Sequence, residues 1–150
     1  MSDERIVKVT GIEEFNKFIR DLMKFSRNPV KFYAQAGVIM LQDIMRHFQA
    51  EENPDGSKWA PLKYTRTHTG KTKKGRRPRV KILQDTGRLR MSIKNIATFK
   101  SAETGTNLVY ARTHQEGDKE RNIPARTFVW LSGQAEERIM GRLMDNMAEL

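Results

Sequence analysis

Apolar residues recur three or four positions apart in three stretches of the chain, a spacing that predicts three amphipathic helices. The first helix follows Thr10, which forms a capping box with Glu13. The second begins at Pro29, a residue suited to the first turn of a helix, and runs to about Gln49. The third spans residues 133–147, with charged side chains opposite its apolar face. We expect the first two helices to pack inward through Ile12, Phe15, Ile19, Leu22, Phe32, Ala36, Ile39, Met40, Ile44 and Phe48.

Four shorter segments, at residues 5–9, 92–99, 106–110 and 111–115, have the alternation and residue types of β-strands. Together with the helices they predict an α+β fold, in which a small antiparallel sheet packs against two or three helices. A length of 150 residues is typical of one domain, so we expect a single domain over residues 1–150.

The net charge of +10 is concentrated in residues 63–81, which we call the basic segment. The chain has 28 basic residues, of which nine lie in this segment with no acidic residue, leaving 19 against 18 acidic residues elsewhere. The nine are Lys63, Arg66, Lys71, Lys73, Lys74, Arg76, Arg77, Arg79 and Lys81. Glycine, proline and threonine residues among them predict a long flexible loop. The residues singled out for contact with DNA or an acidic partner are Lys71, Lys73, Lys74, Arg76, Arg77 and Arg79.

Composition excludes several classes of protein. Without cysteine the chain has no disulfide framework, no thiolate metal site and no cysteine nucleophile. No apolar run reaches the roughly 18 residues that a membrane span needs, and residues 1–5 lack the apolar core of a signal peptide. We therefore expect a protein that remains in the cytoplasm where it is made, without a membrane partner.

Apparent catalytic motifs fail on spacing. Residues 70–72, Gly-Lys-Thr, resemble the end of a P-loop, but Thr65 stands where that motif needs a glycine. Residues 114–116, His-Gln-Glu, resemble part of a zinc deaminase motif whose two cysteines are missing here. The other histidines, His47 and His68, are too dispersed to suggest a metal site. We therefore predict no catalytic residue, no cofactor, no metal and no small-molecule substrate.

Five short segments between Phe48 and Leu131 occur in a fixed order. They are Trp59-Ala60-Pro61-Leu62, then Ile82-Leu83-Gln84-Asp85-Thr86-Gly87-Arg88-Leu89 leading to Ser92-Ile93, then Gly105-Thr106-Asn107 leading to Tyr110-Ala111, then His114-Gln115-Glu116-Gly117, and Ile123-Pro124-Ala125-Arg126-Thr127-Phe128. This succession resembles the phage virion morphogenesis family, which includes tail-completion and head-tail joining proteins of tailed bacteriophages and their prophages. Thr127 stands where the family usually has a second proline, and the basic segment is an insertion between the first two segments.

The resemblance implies a non-enzymatic structural protein that acts late in morphogenesis, completing the tail or joining it to the filled head. It also implies a homo-oligomeric ring, often a hexamer, around the DNA passage, with other neck and tail proteins as partners. Such a protein would lie in the host cytoplasm during assembly and then in the virion, at the neck or the tail end.

The partner of the basic segment is left open by the sequence. It could make nonspecific phosphate contacts with packaged DNA, or it could bind an acidic neighbour in the neck. An alternative function is that of a free, sequence-nonspecific DNA-binding protein acting through this segment. A solvated loop that only keeps the protein soluble is a further alternative.

Seven residues of the ordered segments are candidates for structural or interface roles: Trp59, Leu83, Gly87, Tyr110, Gln115, Arg126 and Phe128. Trp59 can bury a large apolar area and fix where the basic segment begins. Gly87 suits a turn, and the Arg126 guanidinium is expected to point at a carboxylate or carbonyl group. Their turn-rich context favours packing within the chain, and a subunit interface in a ring is the functional alternative.

Overall fold

The computed structural model describes residues 12–62 and 81–149, with side chains described from Asn16 onward. In chain order its elements are α1 (Ile12–Arg27), α2 (Val30–Ala50), α3 (Arg88–Met91), β1 (Lys94–Ala97), β2 (Ala102–Gly105), α4 (Val109–Glu116) and α5 (Gly133–Ala148). The predicted strand at residues 5–9, the capping box and residues 63–80 of the basic segment lie outside the described residues. The described elements confirm the predicted α+β class.

Helix α2 is the centre of the fold, since it contacts both strands and α5. Pro29 directly precedes it, at a position where a missing N–H costs no helical hydrogen bond. The predicted helices at 29–49 and 133–147 are both confirmed, with bounds shifted by one residue. The buried residues of the predicted apolar stripe on α2 are Ala36, Ile39, Ile44 and Phe48.

Strands β1 and β2 form an antiparallel hairpin that packs against α2. Lys94 pairs with Gly105 and Ala97 with Ala102, and Thr98 closes the turn by donating its N–H to the Ser101 carbonyl at 2.8 Å. The predicted strand at 92–99 is therefore confirmed in its central four residues.

Helix α4 replaces two predicted strands. The predictions of strands at 106–110 and 111–115 are wrong, because β2 ends at Gly105 and a helix begins at Val109. Val109 and Tyr110 favour strands by residue type, but Val109 is 93% exposed and only Ala111 of this stretch is buried in the core. Tertiary contacts of α4 have overridden the local preference.

The apolar core lies where α2, α3 and α4 meet the segment after residue 125. The Phe48 ring is edge-on to Trp59, with ring centroids 5.7 Å apart, and its centroid is 5.3 Å from that of Phe128. The buried residues of this cluster are Ile44, Phe48, Trp59, Leu89, Ile93, Ala111 and Phe128. The core thus gathers residues from four of the five ordered segments, and none of its buried residues belongs to His114-Gln115-Glu116-Gly117.

Helix α1 is less buried than predicted. It contacts α5, and its Phe25 ring lies edge-on to Phe32 at a centroid distance of 5.5 Å. However, Leu22, which was expected to face inward, is 43% exposed, and Phe18 and Met23 are also exposed. Inward packing is therefore wrong for Leu22, whose side chain is left partly exposed by the elements within residues 12–62 and 81–149.

Neither a membrane-spanning helix nor a metal-binding cluster occurs among the described residues. Every helix in residues 12–62 and 81–149 is too short or too polar to cross a membrane. Over the same ranges, no group of three or more His, Asp or Glu residues is arranged to hold a metal ion.

Candidate functional site

A cavity of about 520 Å³ lies between the turn before α3, helix α4 and the loop at residues 122–126. We call it the Arg126 pocket. Leu62 and Lys81, which flank residues 63–80, both line it. Four of the seven residues singled out in the sequence line it as well, namely Leu83, Gly87, Tyr110 and Arg126. The structure therefore brings these four together at the base of the basic segment.

The Arg126 guanidinium is held by backbone carbonyl groups. Its Nε donates to the Ala60 carbonyl at 3.0 Å and its Nη2 to the Pro61 carbonyl at 3.3 Å. Arg126 is only 5% exposed, and burial lowers the pKa of its guanidinium. In the described part of the chain, no carboxylate forms an ion pair with it. Among the described residues, only neutral groups contact this buried positive charge.

Trp59 joins the same two segments from the core side. Its indole is buried, and its Nε1 donates to the Thr127 carbonyl at 3.2 Å. The Thr127 N–H in turn donates to Oδ1 of Asn53 at 3.2 Å, a bond that a proline at this position could not make. The segments around Trp59 and Arg126, distant in sequence, are thus fastened to each other by side-chain contacts with backbone groups.

Gln115 holds the extended segment after Arg126 in place. Its Oε1 accepts the N–H groups of Phe128 and Val129, both at 3.0 Å, and its Nε2 donates to the Val129 carbonyl at 2.9 Å. The Arg126 N–H donates to the His114 carbonyl at 2.7 Å. One amide side chain therefore satisfies backbone groups that a neighbouring strand would otherwise satisfy. Gln115 and Phe128 lie outside the lining of the pocket and support its wall.

His114 lines the pocket beside Tyr110, with the two rings nearly perpendicular and their centroids 6.1 Å apart. Burial, and then the positive charge of Arg126, lower the pKa of His114, so its imidazole is neutral at pH 7. Its buried Nδ1 has no hydrogen-bond partner among the described residues. Sequence reasoning missed this residue as a pocket residue, and the available signal was its place in an ordered segment next to Gln115.

Three residues that line the pocket have left-handed backbone conformations. Their φ angles are 59° for Leu83, 70° for Gly87 and 54° for Asn122. A residue with a side chain resists this region by about 1–2 kcal/mol, and such strain tends to collect at functional sites. The turns at Gly87 and Asn122 suit their residue types, whereas Leu83 is held against its preference.

Gly117 allows the pocket wall to lie close to the end of α4. Its φ is 79°, and a Cβ atom there would lie 2.8 Å from the Ala125 nitrogen and 3.0 Å from the Ile123 oxygen. These distances are shorter than van der Waals contact, so any side chain would push residues 123–125 away from α4.

A second polar cluster, not predicted from the sequence, joins α2 to the start of α5. Asp43 is buried and accepts hydrogen bonds from the Ser132 N–H and the Ser132 hydroxyl, both at 2.8 Å, and from Nη2 of Arg46 at 2.6 Å. The Ser132 hydroxyl also caps α5 by accepting the Ala135 N–H at 3.2 Å. Asp43 and Ser132 are 89 residues apart in the chain, which is why pattern reasoning did not connect them.

His47 completes this cluster. Its ring stacks on Trp130 with a centroid distance of 3.9 Å, its Nδ1 donates to the Phe128 carbonyl at 3.2 Å, and its Nε2 is 3.5 Å from Oδ2 of Asp43. Ser, His and Asp are the components of a hydrolase triad, but the Ser132 hydroxyl bonds the carboxylate and not the imidazole. Because Asp43 and His47 are also buried, the arrangement fastens α2 to α5.

The ordered sequence segments form a packed frame around the Arg126 pocket. The sequence profile of the phage virion morphogenesis family matches residues 10–148, almost the whole chain. The chain belongs to this family, as its resemblance in the sequence predicted. Searches of curated proteins and of solved structures each found no significant match.

Membership in the family indicates a structural role in phage assembly, incorporation in the virion and contact with other virion proteins. The ordered segments that carried the resemblance are the same segments that build the Arg126 pocket and much of the core.

Proposed function

We propose that this protein is a non-enzymatic, single-domain structural subunit that completes the phage tail or joins it to the filled head, acting as one member of a ring around the DNA passage. The observation that carries the proposal is the family match over residues 10–148. It is assembled in the host cytoplasm and then remains at the neck or tail end of the virion.

The polar side chains of Asp43, Ser132 and Gln115 support a structural role over a catalytic one. Asp43 and Ser132 bond each other across two helices, and Gln115 bonds backbone groups. Because these groups form hydrogen bonds within the protein, they do not position a nucleophile or a general base toward a substrate.

Exposed apolar side chains support assembly into a ring. On the two terminal helices these are Phe18, Leu22, Met23, Met140 and Met144, and around α3 and α4 they are Met91, Val109 and Tyr110. Exposed apolar groups of this kind are typical of protein contact surfaces. A ring needs two different surfaces on each subunit, because each subunit contacts its two neighbours in a head-to-tail manner.

Native mass spectrometry of the full chain tests the ring. We expect a closed oligomer, alone or together with neighbouring tail or connector proteins, and we expect Val109→Glu and Met140→Glu each to break it into smaller species. Arg112→Gln is the matched control, since Arg112 is an exposed residue of the same helix as Val109. A strict monomer at high concentration that also fails to assemble with those proteins would count against the ring.

The basic segment is proposed to contact packaged DNA through phosphate groups, or an acidic neighbour in the neck. Nine like charges repel one another unless an anion lies near them. In the described part of the chain, Lys81 at the end of the segment is exposed. If DNA is the partner, affinity falls steeply between about 50 mM and about 200 mM salt and does not depend on base sequence.

A fourfold serine variant separates these possibilities, with duplex binding and complementation of virion assembly as the two measurements. The variant replaces Lys73, Lys74, Arg76 and Arg77, and a matched control replaces Lys17, Arg20, Lys94 and Lys100. Loss of assembly in the first variant only is the expected result. Normal assembly by that variant would remove the segment from the mechanism, and DNA binding without any assembly role would favour the DNA-binding alternative.

A further inference from the structure

We propose that the Arg126 pocket is a docking site for a segment of a neighbouring virion protein that carries a carboxylate next to apolar side chains. The inference rests on the proposed function only in taking the partner from the virion. The chemistry of the pocket itself follows from the described residues.

Arg126 supplies the charge that selects a carboxylate. Its Nε and Nη2 contact the carbonyl groups of Ala60 and Pro61, and no carboxylate in the described part of the chain neutralises it. A cation removed from water is costly unless an anion approaches it, because carbonyl dipoles replace only part of its hydration. A carboxylate in the pocket would add a charge-assisted hydrogen bond to the guanidinium and offset that cost.

The walls of the pocket select apolar neighbours for that carboxylate. Leu83, Leu89, Ile123 and Pro124 line it, and its volume of about 520 Å³ is enough for one or two side chains. An apolar cavity with a few placed polar groups is the usual form of a binding site. The partner is therefore an acidic residue flanked by apolar residues, and not an acidic run.

The same features disfavour duplex DNA in this pocket. Contacts with phosphate are made by exposed basic side chains along the duplex surface. Arg126 is buried instead, and it lines a cavity and not an exposed surface. DNA is thus assigned to exposed basic residues and a protein segment to the pocket.

The backbone around the pocket gives independent support. Leu83 keeps a left-handed conformation that its side chain resists, and it lines the cavity. Strain of this kind persists where a defined cavity shape is maintained for a ligand.

Saturation-transfer NMR on the full chain tests the proposal with two short probes, because the method works for monomers and for rings. The probes are the acetylated and amidated tripeptides Leu-Glu-Leu and Leu-Gln-Leu. We expect the acidic peptide to bind with a dissociation constant on the order of 1 mM, and the neutral one at least about tenfold more weakly. Equal binding of the two peptides, or no binding of the acidic peptide, would overturn the proposal.

Two variants assign the binding to the pocket. Arg126→Gln removes the buried charge and should weaken the acidic peptide at least about tenfold. Arg88→Gln, at an exposed residue that lines the pocket, should weaken it about two- to threefold without affecting the core. Arg112→Gln, an exposed residue of α4 outside the pocket, should leave it unchanged.

The outcomes of these variants are separable. If Arg126→Gln does not fold, Arg88→Gln decides alone, and unchanged affinity in that variant counts against the pocket. If duplex DNA displaces the acidic peptide from the pocket, the partner of the pocket is DNA and not a protein segment. Failure of the protein to enter virions would remove the proposed function but would not change peptide binding, so the two hypotheses fail in different experiments.

Discussion

Replacing the Asp43 carboxylate by an amide should destabilise the fold strongly. Asp43 accepts three hydrogen bonds, two from Ser132 and one from Arg46, and is buried. An Asn side chain has one acceptor oxygen and an NH₂ group, so at least one of the donors would face another donor.

The expected loss follows from these contacts. Hydrogen bonds to a charged group are each worth about 1.5–3 kcal/mol, and an amide cannot accept all three of these bonds, so Asp43→Asn should lose about 3 kcal/mol. That is a large part of the roughly 5–15 kcal/mol by which domains are stable. Asp145→Asn is the matched control, because Asp145 is exposed and its carboxylate is 3.7 Å from the Arg142 guanidinium. It should lose about 0.5 kcal/mol or less.

Urea unfolding followed by far-ultraviolet circular dichroism gives the measurement. We expect a lower midpoint with an unchanged slope, since the exposed surface on unfolding is the same. The double variant Asp43→Asn with Ser132→Ala should lose less than the sum of the two single variants, because both act on the hydrogen bond from the Ser132 hydroxyl to Asp43. A loss below about 1 kcal/mol for Asp43→Asn, or strict additivity, would refute the view that this cluster fastens α2 to α5.

Three further variants test other parts of the structure by the same unfolding measurement. Gly117→Ala should lower the free energy of unfolding by at least about 2 kcal/mol, because Gly117 has a left-handed φ and close backbone contacts. The control Gly141→Ala lies in open space within α5 and should raise this free energy by about 0.5–1 kcal/mol. Equal effects would show that Gly117 is not constrained. Gln115→Leu should cost about 2–3 kcal/mol by leaving backbone N–H groups unpaired, against little change for Glu116→Gln, and a neutral result would contradict the strand-like role of this amide. Burial lowers the pKa of His47 in the folded protein below the ordinary value of 6.5. As the pH falls, the imidazole therefore takes up a proton in the unfolded chain before it does so in the folded protein. Below pH 6.5 the free energy of unfolding should drop by up to about 1.4 kcal/mol per pH unit. His47→Gln should make this pH dependence shallower by about one proton, and an unchanged slope would refute the assignment.

The sequence predicts those parts of the fold that depend on local spacing. Helices α2 and α5 have long apolar stripes and clear boundaries, so their predicted bounds are close to the observed ones. The α4 region fails because Val109 and Tyr110 suggest a strand, while the stability of this short helix comes from Ala111 in the core and from Gln115 bonded to a distant segment. Those contacts are not encoded in any local pattern.

For function, too, local patterns were predictive, whereas features that depend on contacts between distant residues were not. The ordered segments were sufficient to identify the family, and the structure packs residues of four of them together in the core. The pocket could not be predicted, since it is formed by residues from 62 to 126 and its central charge, Arg126, is defined by burial. Likewise, the sequence contains Asp43, His47 and Ser132 but gives no indication that they meet.

The position of Leu62 and Lys81 at one cavity has a practical consequence for anyone who wants to label this protein. Leu62 and Lys81 lie beside the same cavity, so a longer connection between them would leave both residues in place. Doubling a connection of this kind costs only about 0.6 kcal/mol in closure entropy. An epitope or a fluorescent domain can therefore be inserted next to Leu62 with residues 63–80 retained, and the protein's position in a virion can be observed directly by microscopy.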